Sequence, residues 1–259
     1  AKGDELREAL PLYRAIKRLG AKIAVATYSY KQMIMLRSGP TYGWLEIAGA
    51  VIDLPVVAQH VVKVPELEIG RAHELGARLW FYALPQTHWD ELSPYMYRSN
   101  YGFWLFHSPA EGICPWGYQY AVGNPYDDFD KVEEGSLTDC FAVYPTRDGI
   151  VPTLLWEAYR EGIDDCRYAS TFANLLAEAK ALHGRTDTIV EMEEWLDNTK
   201  VDYIEVWGSL YDREGFEPLL VYGDDHNRRV SRKPDLQQLR RQYADRILEL
   251  KKYMATEKQ

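Results

Sequence analysis

Cysteine is scarce, with only Cys114, Cys140 and Cys166 in 259 residues. These are too few and too far apart for a disulfide framework or a thiolate zinc site, although one bridge between two of them stays open. No stretch approaches ~18 uninterrupted apolar residues, and no charged-then-apolar leader opens the chain, so a soluble protein without a membrane span is expected. Basic residues are the minority charge: 30 Lys and Arg face 39 Asp and Glu, for a formal net charge of -9. A surface that tracks nucleic-acid phosphates needs clustered Lys and Arg, which excludes nucleic acid as a partner and favours a neutral or cationic ligand. The six His show no ligand spacing, so neither a metal nor a cofactor is expected. A nucleophile elbow, a phosphate loop, a dinucleotide glycine pattern and an HExxH pair are missing as well. The compartment stays open, since a signal ahead of Ala1 would make the protein secreted or periplasmic.

What is present is a large apolar fraction, 46%, enough to bury a sizeable core, and a particular aromatic balance of 19 Tyr and 8 Trp against 7 Phe. Tyr and Trp stack on an apolar face while offering a hydrogen bond, which suits sugars, whose C–H faces pack on rings. Ordinary core and interface use accounts for the same surplus equally well.

Along the chain, GDELREALPLYRAIKRLG reads as a helix with Asp4 and Glu5 in its first turn and Gly20 past its end, blemished by Pro11. Short apolar runs rich in β-branched and aromatic residues then predict buried strands at KIAVATYSY, AVIDLPVV, ARLWFYALP, GICPWGYQYA and TDCFAVYP. Helices are predicted between them, a short one near 44–48, one from Pro65 to Gly76 and one from Pro94 to His107. A long helical pattern starts after Val151. The spacing predicts an α/β protein with a parallel sheet covered on both faces. Four such units make half of a (β/α)8 barrel of the TIM type, which has ~250 residues in all. Residues 1–183 are therefore expected to supply the C-terminal half of a barrel, and 184–259 a mostly helical extension. That extension holds the helix TDTIVEMEEWLDNTK, strand pieces DYIEVWG and PLLVYG, and a closing amphipathic helix, LQQLRRQYADRILELKKY. A half barrel leaves sheet edges open. Either the sheet stays open, or the expected partner is a missing N-terminal half or a second chain that closes it, and the start at Ala1 without Met favours the missing half.

In a barrel the site lies at the C-terminal ends of the strands. On this chain that rule collects Tyr28, Tyr30, Asp53, Trp80, Tyr82, Gln86, His88, Trp116, Tyr118, Gln119 and Tyr120, an aromatic and amide-rich set suited to a neutral polyhydroxyl ligand. Alternate strand residues face outward under helices, so about half of this set is expected to be core. Asp127, Asp128 and Asp130 cluster in NPYDDFD, where Asp128 is a candidate for the pocket rim. The cluster lacks full calcium-loop spacing, and a solvated turn is the simpler account. On the helix WEAYREGIDDCRY, Glu157, Arg160, Glu161, Asp164 and Asp165 sit one turn apart in several combinations. Local ion pairing outweighs an acid/base role for them.

The run YPTRDGIVPTLLWEAYREGIDDCRYASTF resembles the end of the glycoside-hydrolase-like catalytic domain known as domain of unknown function 4091, related to glycoside hydrolase family 123. Tyr144, Pro145, Gly149, Trp156, Glu157, Arg160, Gly162, Asp165 and Tyr168 carry the likeness. ARLWFYALPQ, RSNYGFWLF and GICPWGYQYA resemble the last barrel strands of the same family, and PDLQQLRRQYADRILEL its closing helix. The resemblance implies a (β/α)8 barrel acting on glycosides, with an adjacent Asp-Glu pair at the end of the fourth strand. There Glu serves as general acid/base, and Asp orients the substrate's own acetamido group as nucleophile, an exception to the two-carboxylate scheme. Counting back along the strands puts that pair ahead of Ala1. Asp4-Glu5 is adjacent too but follows no strand, so the catalytic residues of this chain stay unassigned. The expected function is a glycoside hydrolase-like protein acting on a neutral or N-acetylated glycan, this chain forming the aromatic half of the sugar pocket. The alternative is a non-catalytic carbohydrate-binding or assembly protein on a degenerate barrel.

Overall fold

The computed structural model of the chain describes residues 3–27, 51–58, 65–83, 94–108, 110–115, 117–120, 124, 126, 140–210 and 234–256. The helix near 44–48 and the strand piece PLLVYG lie outside them. Two compact units divide the chain: residues 1–85 with 108–116, and residues 86–107 with 117–259.

The first unit is a parallel α/β layer. Helix α1, Gly3–Arg18, carries Pro11 within it and is closed by the Leu19 and Gly20 amides donating to Ile16 and Lys17 carbonyls, with Gly20 at φ +85°. Strands β1 (Ala24–Thr27), β2 (Leu54–Ala58), β3 (Trp80–Ala83) and β4 (Ile113–Pro115) form one sheet in the order β1-β2-β3-β4, every pairing parallel. Helix α2, Pro65–Glu74, joins β2 to β3 and ends near Gly76 at φ +74°. The register puts Val25, Pro55, Val57, Phe81 and Ile113 on one face, all buried except half-buried Ile113. On the opposite face Ala24 and Ala26 are exposed, Leu54, Val56, Trp80 and Cys114 half-buried, and Tyr82 buried. Gly112 lies against the Trp80 indole so closely that a Cβ there would sit 2.6 Å from the ring.

The second unit is mainly helical. Helix α3 (Pro94–Ser99) passes through a π-helical stretch (Asn100–Trp104) into a single turn, α4 (Leu105–His107). Two small antiparallel pairs follow, β5 (Gln119–Tyr120) with β6 (Cys140–Phe141) and β7 (Val143–Thr146) with β8 (Gly149–Pro152). Helices α5 (Leu154–His183), α6 (Asp187–Leu210) and α7 (Leu236–Thr256) complete it. Thr153 caps α5, its hydroxyl accepting from the Trp156 amide. Leu155, Ala158, Tyr159, Gly162, Asp165, Ala169, Phe172, Leu176 and Ala179 form its buried stripe, at steps of three and four residues except for the adjacent pair 158–159.

Two predicted elements change here. GICPWGYQYA is not one strand: its first part is β4 of the parallel sheet, and Gln119–Tyr120 pair antiparallel with Cys140–Phe141 instead. The run is apolar throughout, and composition alone does not reveal a change of partner. DYIEVWG is helical, because α6 continues to Leu210. β-branched and aromatic residues lower helix propensity only slightly, so they do not exclude a helix.

α3 and α5 approach to backbone contact. A Cβ on Gly162 would stand 2.6 Å from the Arg98 carbonyl oxygen, and one on Gly102 would stand 3.0 Å from the Asp165 Cβ. Around Tyr243 of α7 the rings of Phe103 (5.4 Å), Phe172 (5.9 Å) and Trp195 (5.0 Å) close the core.

Candidate functional site

The four parallel strands end at Thr27, Ala58, Ala83 and Pro115. Tyr28 directly follows β1 and Trp116 directly follows β4, while Gln86 comes three residues after β3. These three, with Tyr30, His88 and Asp128, lie outside the described residues. Tyr82 sits one residue from the end of β3, buried on the less-covered face of the sheet beside Cys114. Trp80 shares that face but opens β3 rather than closing it. Its indole N–H is buried with no hydrogen-bond partner among the described residues.

Asp53 is at the opposite end of the sheet from its expected place. The strand begins at Leu54, one residue after it, and the Asp53 carboxylate fastens the start of β1. It accepts from the Ile23 amide at 2.9 Å and pairs with Lys17 Nζ at 3.1 Å and Lys22 Nζ at 3.6 Å. The Ile23 amide, with Lys17 beside it, holds this carboxyl below its ordinary pKa, against the opposing effect of desolvation. Glu111 repeats the device at the other side of the sheet: it accepts from the Leu79 amide at 3.2 Å and lies 3.4 Å from Arg78. Both acids therefore work at the N-terminal ends of strands, the end of such sheets associated with stability rather than chemistry. Asp53→Asn is expected to destabilise the fold by about 1–2 kcal/mol, the scale of a hydrogen bond to a charged group. Urea unfolding checks the loss, and a change in sugar affinity without a change in stability would contradict this role.

Tyr118, Gln119 and Tyr120 belong to the second unit. Tyr118 is exposed and meets Trp156 edge-on, ring centroids 6.1 Å apart, and Gln119 donates to the Val143 carbonyl. Gln119 and Tyr120 form β5, which pairs antiparallel with β6 instead of continuing the strand that ends at Pro115.

The acidic helix face resolves into ion pairs. Arg160 bonds Glu157 at 2.8 Å and Glu161 at 2.7 Å and lies 3.6 Å from Asp164, so its pKa is raised further. Asp165, fully buried, is held by Arg98 at 2.7 Å and by Arg240 of α7, which also donates to Glu161 at 2.7 Å. Fully buried and committed to two guanidinium groups, Asp165 is out of a substrate's reach and ties α5 to α3 and α7. Asp4 and Glu5 fall in the first turn of α1. Among the described residues no group of three or more His, Cys, Asp or Glu is placed to hold a metal ion, and no helix is long and apolar enough to cross a membrane.

The family profile for glycoside hydrolase 123, catalytic domain, matches residues 20–171, more than half of the chain. The chain belongs to that family. The matched span runs from Gly20, ahead of β1, to Thr171 in α5, so it takes in the whole parallel sheet of this glycoside hydrolase 123 domain and the first part of the motif helix. No curated protein sequence matches the chain. Membership makes it a glycoside hydrolase-like domain and agrees with the likeness carried by Tyr144 to Tyr168. Sequence reasoning missed Glu111 and Arg240. Their contacts reach 32 and 75 or more residues along the chain, and no local pattern marks them.

Proposed function

We propose that this glycoside hydrolase 123 domain acts on a neutral or N-acetylated glycan, bound at the C-terminal ends of its parallel strands. The observation that carries it is the four-stranded parallel sheet in strict sequential order, inside the family match; in sequence, Tyr28, Tyr30, Gln86 and Trp116 follow the ends of its strands. Parallel sheets are covered on both faces. The less-covered face here, with Ala24, Ala26, Leu54, Val56, Trp80, Tyr82 and Cys114, is apolar. We read the sheet as part of a (β/α)8 barrel whose remaining strands come from outside the described residues or from a partner chain. The acid/base pair would belong to that remainder.

A test compares the 259-residue chain with a form that includes any residues its gene encodes ahead of Ala1, on aryl glycosides that include N-acetylhexosaminides. Turnover by the longer form is expected, with little or none by the chain alone. If the longer form hydrolyses none of them, hydrolysis is wrong. Saturable sugar binding without turnover would then favour the carbohydrate-binding or assembly alternative, which is supported by the position of Asp53 and Glu111 away from the strand exits.

A further inference from the structure

The second unit exposes aromatic rings that its core does not use. Tyr118 (45% exposed), Tyr126 (62%) and Trp156 (38%) stand at the root of the β7–β8 hairpin. Tyr118 and Trp156 meet at 6.1 Å and 77°, and Tyr126 lies over Tyr144 of β7 at 6.0 Å and 26°. These are positioned rings. The Ala142 amide donates to the Tyr118 carbonyl, and the Ala142 carbonyl accepts from both the Thr153 amide at 3.2 Å and the Thr153 hydroxyl at 2.6 Å. The same hydroxyl accepts from the Trp156 amide, so one residue, Ala142, fixes both members of the pair through the helix cap. The Tyr126 hydroxyl donates to the Pro145 carbonyl, tying the second pair to the same hairpin. Arg160, one turn on from Trp156, and Glu157 form an exposed ion pair at 2.8 Å. Together they give the indole polar neighbours able to bind hydroxyl groups.

From this arrangement we infer that Trp156, with Tyr118 edge-on at its side, is a stacking platform for a pyranose ring of an oligosaccharide. Rings with polar tips, held by backbone hydrogen bonds and flanked by a carboxylate–guanidinium pair, match the alternating C–H faces and hydroxyl edges of a sugar. A purely apolar protein partner would leave Glu157 and Arg160 to be desolvated. The inference rests on the proposed glycan specificity, but its site lies wholly within residues 118–160.

The test titrates the full chain with soluble oligosaccharides of N-acetylhexosamine and of neutral hexose, followed by tryptophan fluorescence and calorimetry. Trp156→Ala is expected to weaken binding at least ~10-fold, the loss of one good stacking contact. Trp156→Phe should recover most of it, and thermal unfolding shows whether each variant is folded. Ile150 and Leu154, exposed aliphatic neighbours, serve as controls: the double variant Ile150→Ala, Leu154→Ala should bind sugar as the parent does. Unchanged affinity in Trp156→Ala overturns the platform, as does the absence of any oligosaccharide binding. Self-association in sedimentation that disappears with the Ile150 and Leu154 substitutions, with sugar binding untouched by Trp156→Ala, would mark a protein interface instead. Hydrolysis of single-sugar aryl glycosides, which need no platform, reports the proposed function separately. Turnover there without oligosaccharide binding sinks the platform alone.

Discussion

Asp165→Ala is expected to remove about 3–5 kcal/mol of folding stability, the cost of leaving buried charges without their partner. Asp165 is wholly inaccessible, and its two oxygens are bonded by Arg98 at 2.7 and 3.1 Å and by Arg240. Truncation strands two guanidinium groups, each less than a fifth exposed, between three helices. Glu161 retains Arg240 in part, through a side-chain bond at 2.7 Å and its carbonyl at 2.6 Å, so the loss falls more heavily on Arg98 and the seam between α3 and α5. A domain of this size loses ~2–4 °C per kcal/mol, so a melting temperature roughly 10 °C lower should be seen by calorimetry. A shift of only a degree or two would mean that the guanidinium groups find solvent or other acceptors, and that the network contributes no more than surface ion pairs do.

Acidification is expected to weaken the fold well above the carboxylate range. His107 is buried, its Nε2 3.1 Å from the Tyr243 hydroxyl, and burial together with the nearby Lys200 charge lowers its pKa from 6.5 to about 4. The neutral ring is thus the folded form. An unfolded chain takes up a proton near pH 6.5 that the folded chain refuses until about pH 4, so the folded state is penalised progressively as the pH falls between these values. Stability should be undiminished above pH 6.5 and fall by up to roughly 3 kcal/mol by pH 4. Asp53, Glu161 and Glu193 have lowered pKa values, and their contributions fade only as the pH drops through the carboxylate range, below most of this window. Urea midpoints measured from pH 7 to 4.5 should slope for the parent and lie flat for His107→Gln. An equal slope in both would assign the effect to other groups.

The parallel α/β class, the opening helix with its first-turn acids, the long helix after Thr153 and the closing helix were all legible from apolar period and caps. So was the ion pairing of Glu157, Arg160 and Asp164, because i,i+3 and i,i+4 spacing is a local property. What escaped depends on contacts far apart in sequence. Asp53 looks the same in AVIDLPVV whether it ends a strand or precedes one, and only Lys17 and Ile23, more than 29 residues earlier, decide the matter. The break within GICPWGYQYA is equally invisible, since the antiparallel partner at Cys140–Phe141 lies beyond a polar stretch with no strand signal. Gly162 was part of a motif, but its physical reason, the Arg98 carbonyl against its Cα, emerges only from the helix pair.

The twin fastenings of Asp53 to Ile23 and Glu111 to Leu79 bear on how such a domain diversifies. Each clamps a strand at its start by a side chain reaching a neighbour's backbone, so strand register is anchored at one pole without help from the segments that leave the other. Segments beyond Thr27, Ala58, Ala83 and Pro115 can then lengthen, shorten or exchange residues over generations while the sheet beneath keeps its alignment. Change in those segments and selection for a sound fold thereby act on separate parts of the same strands.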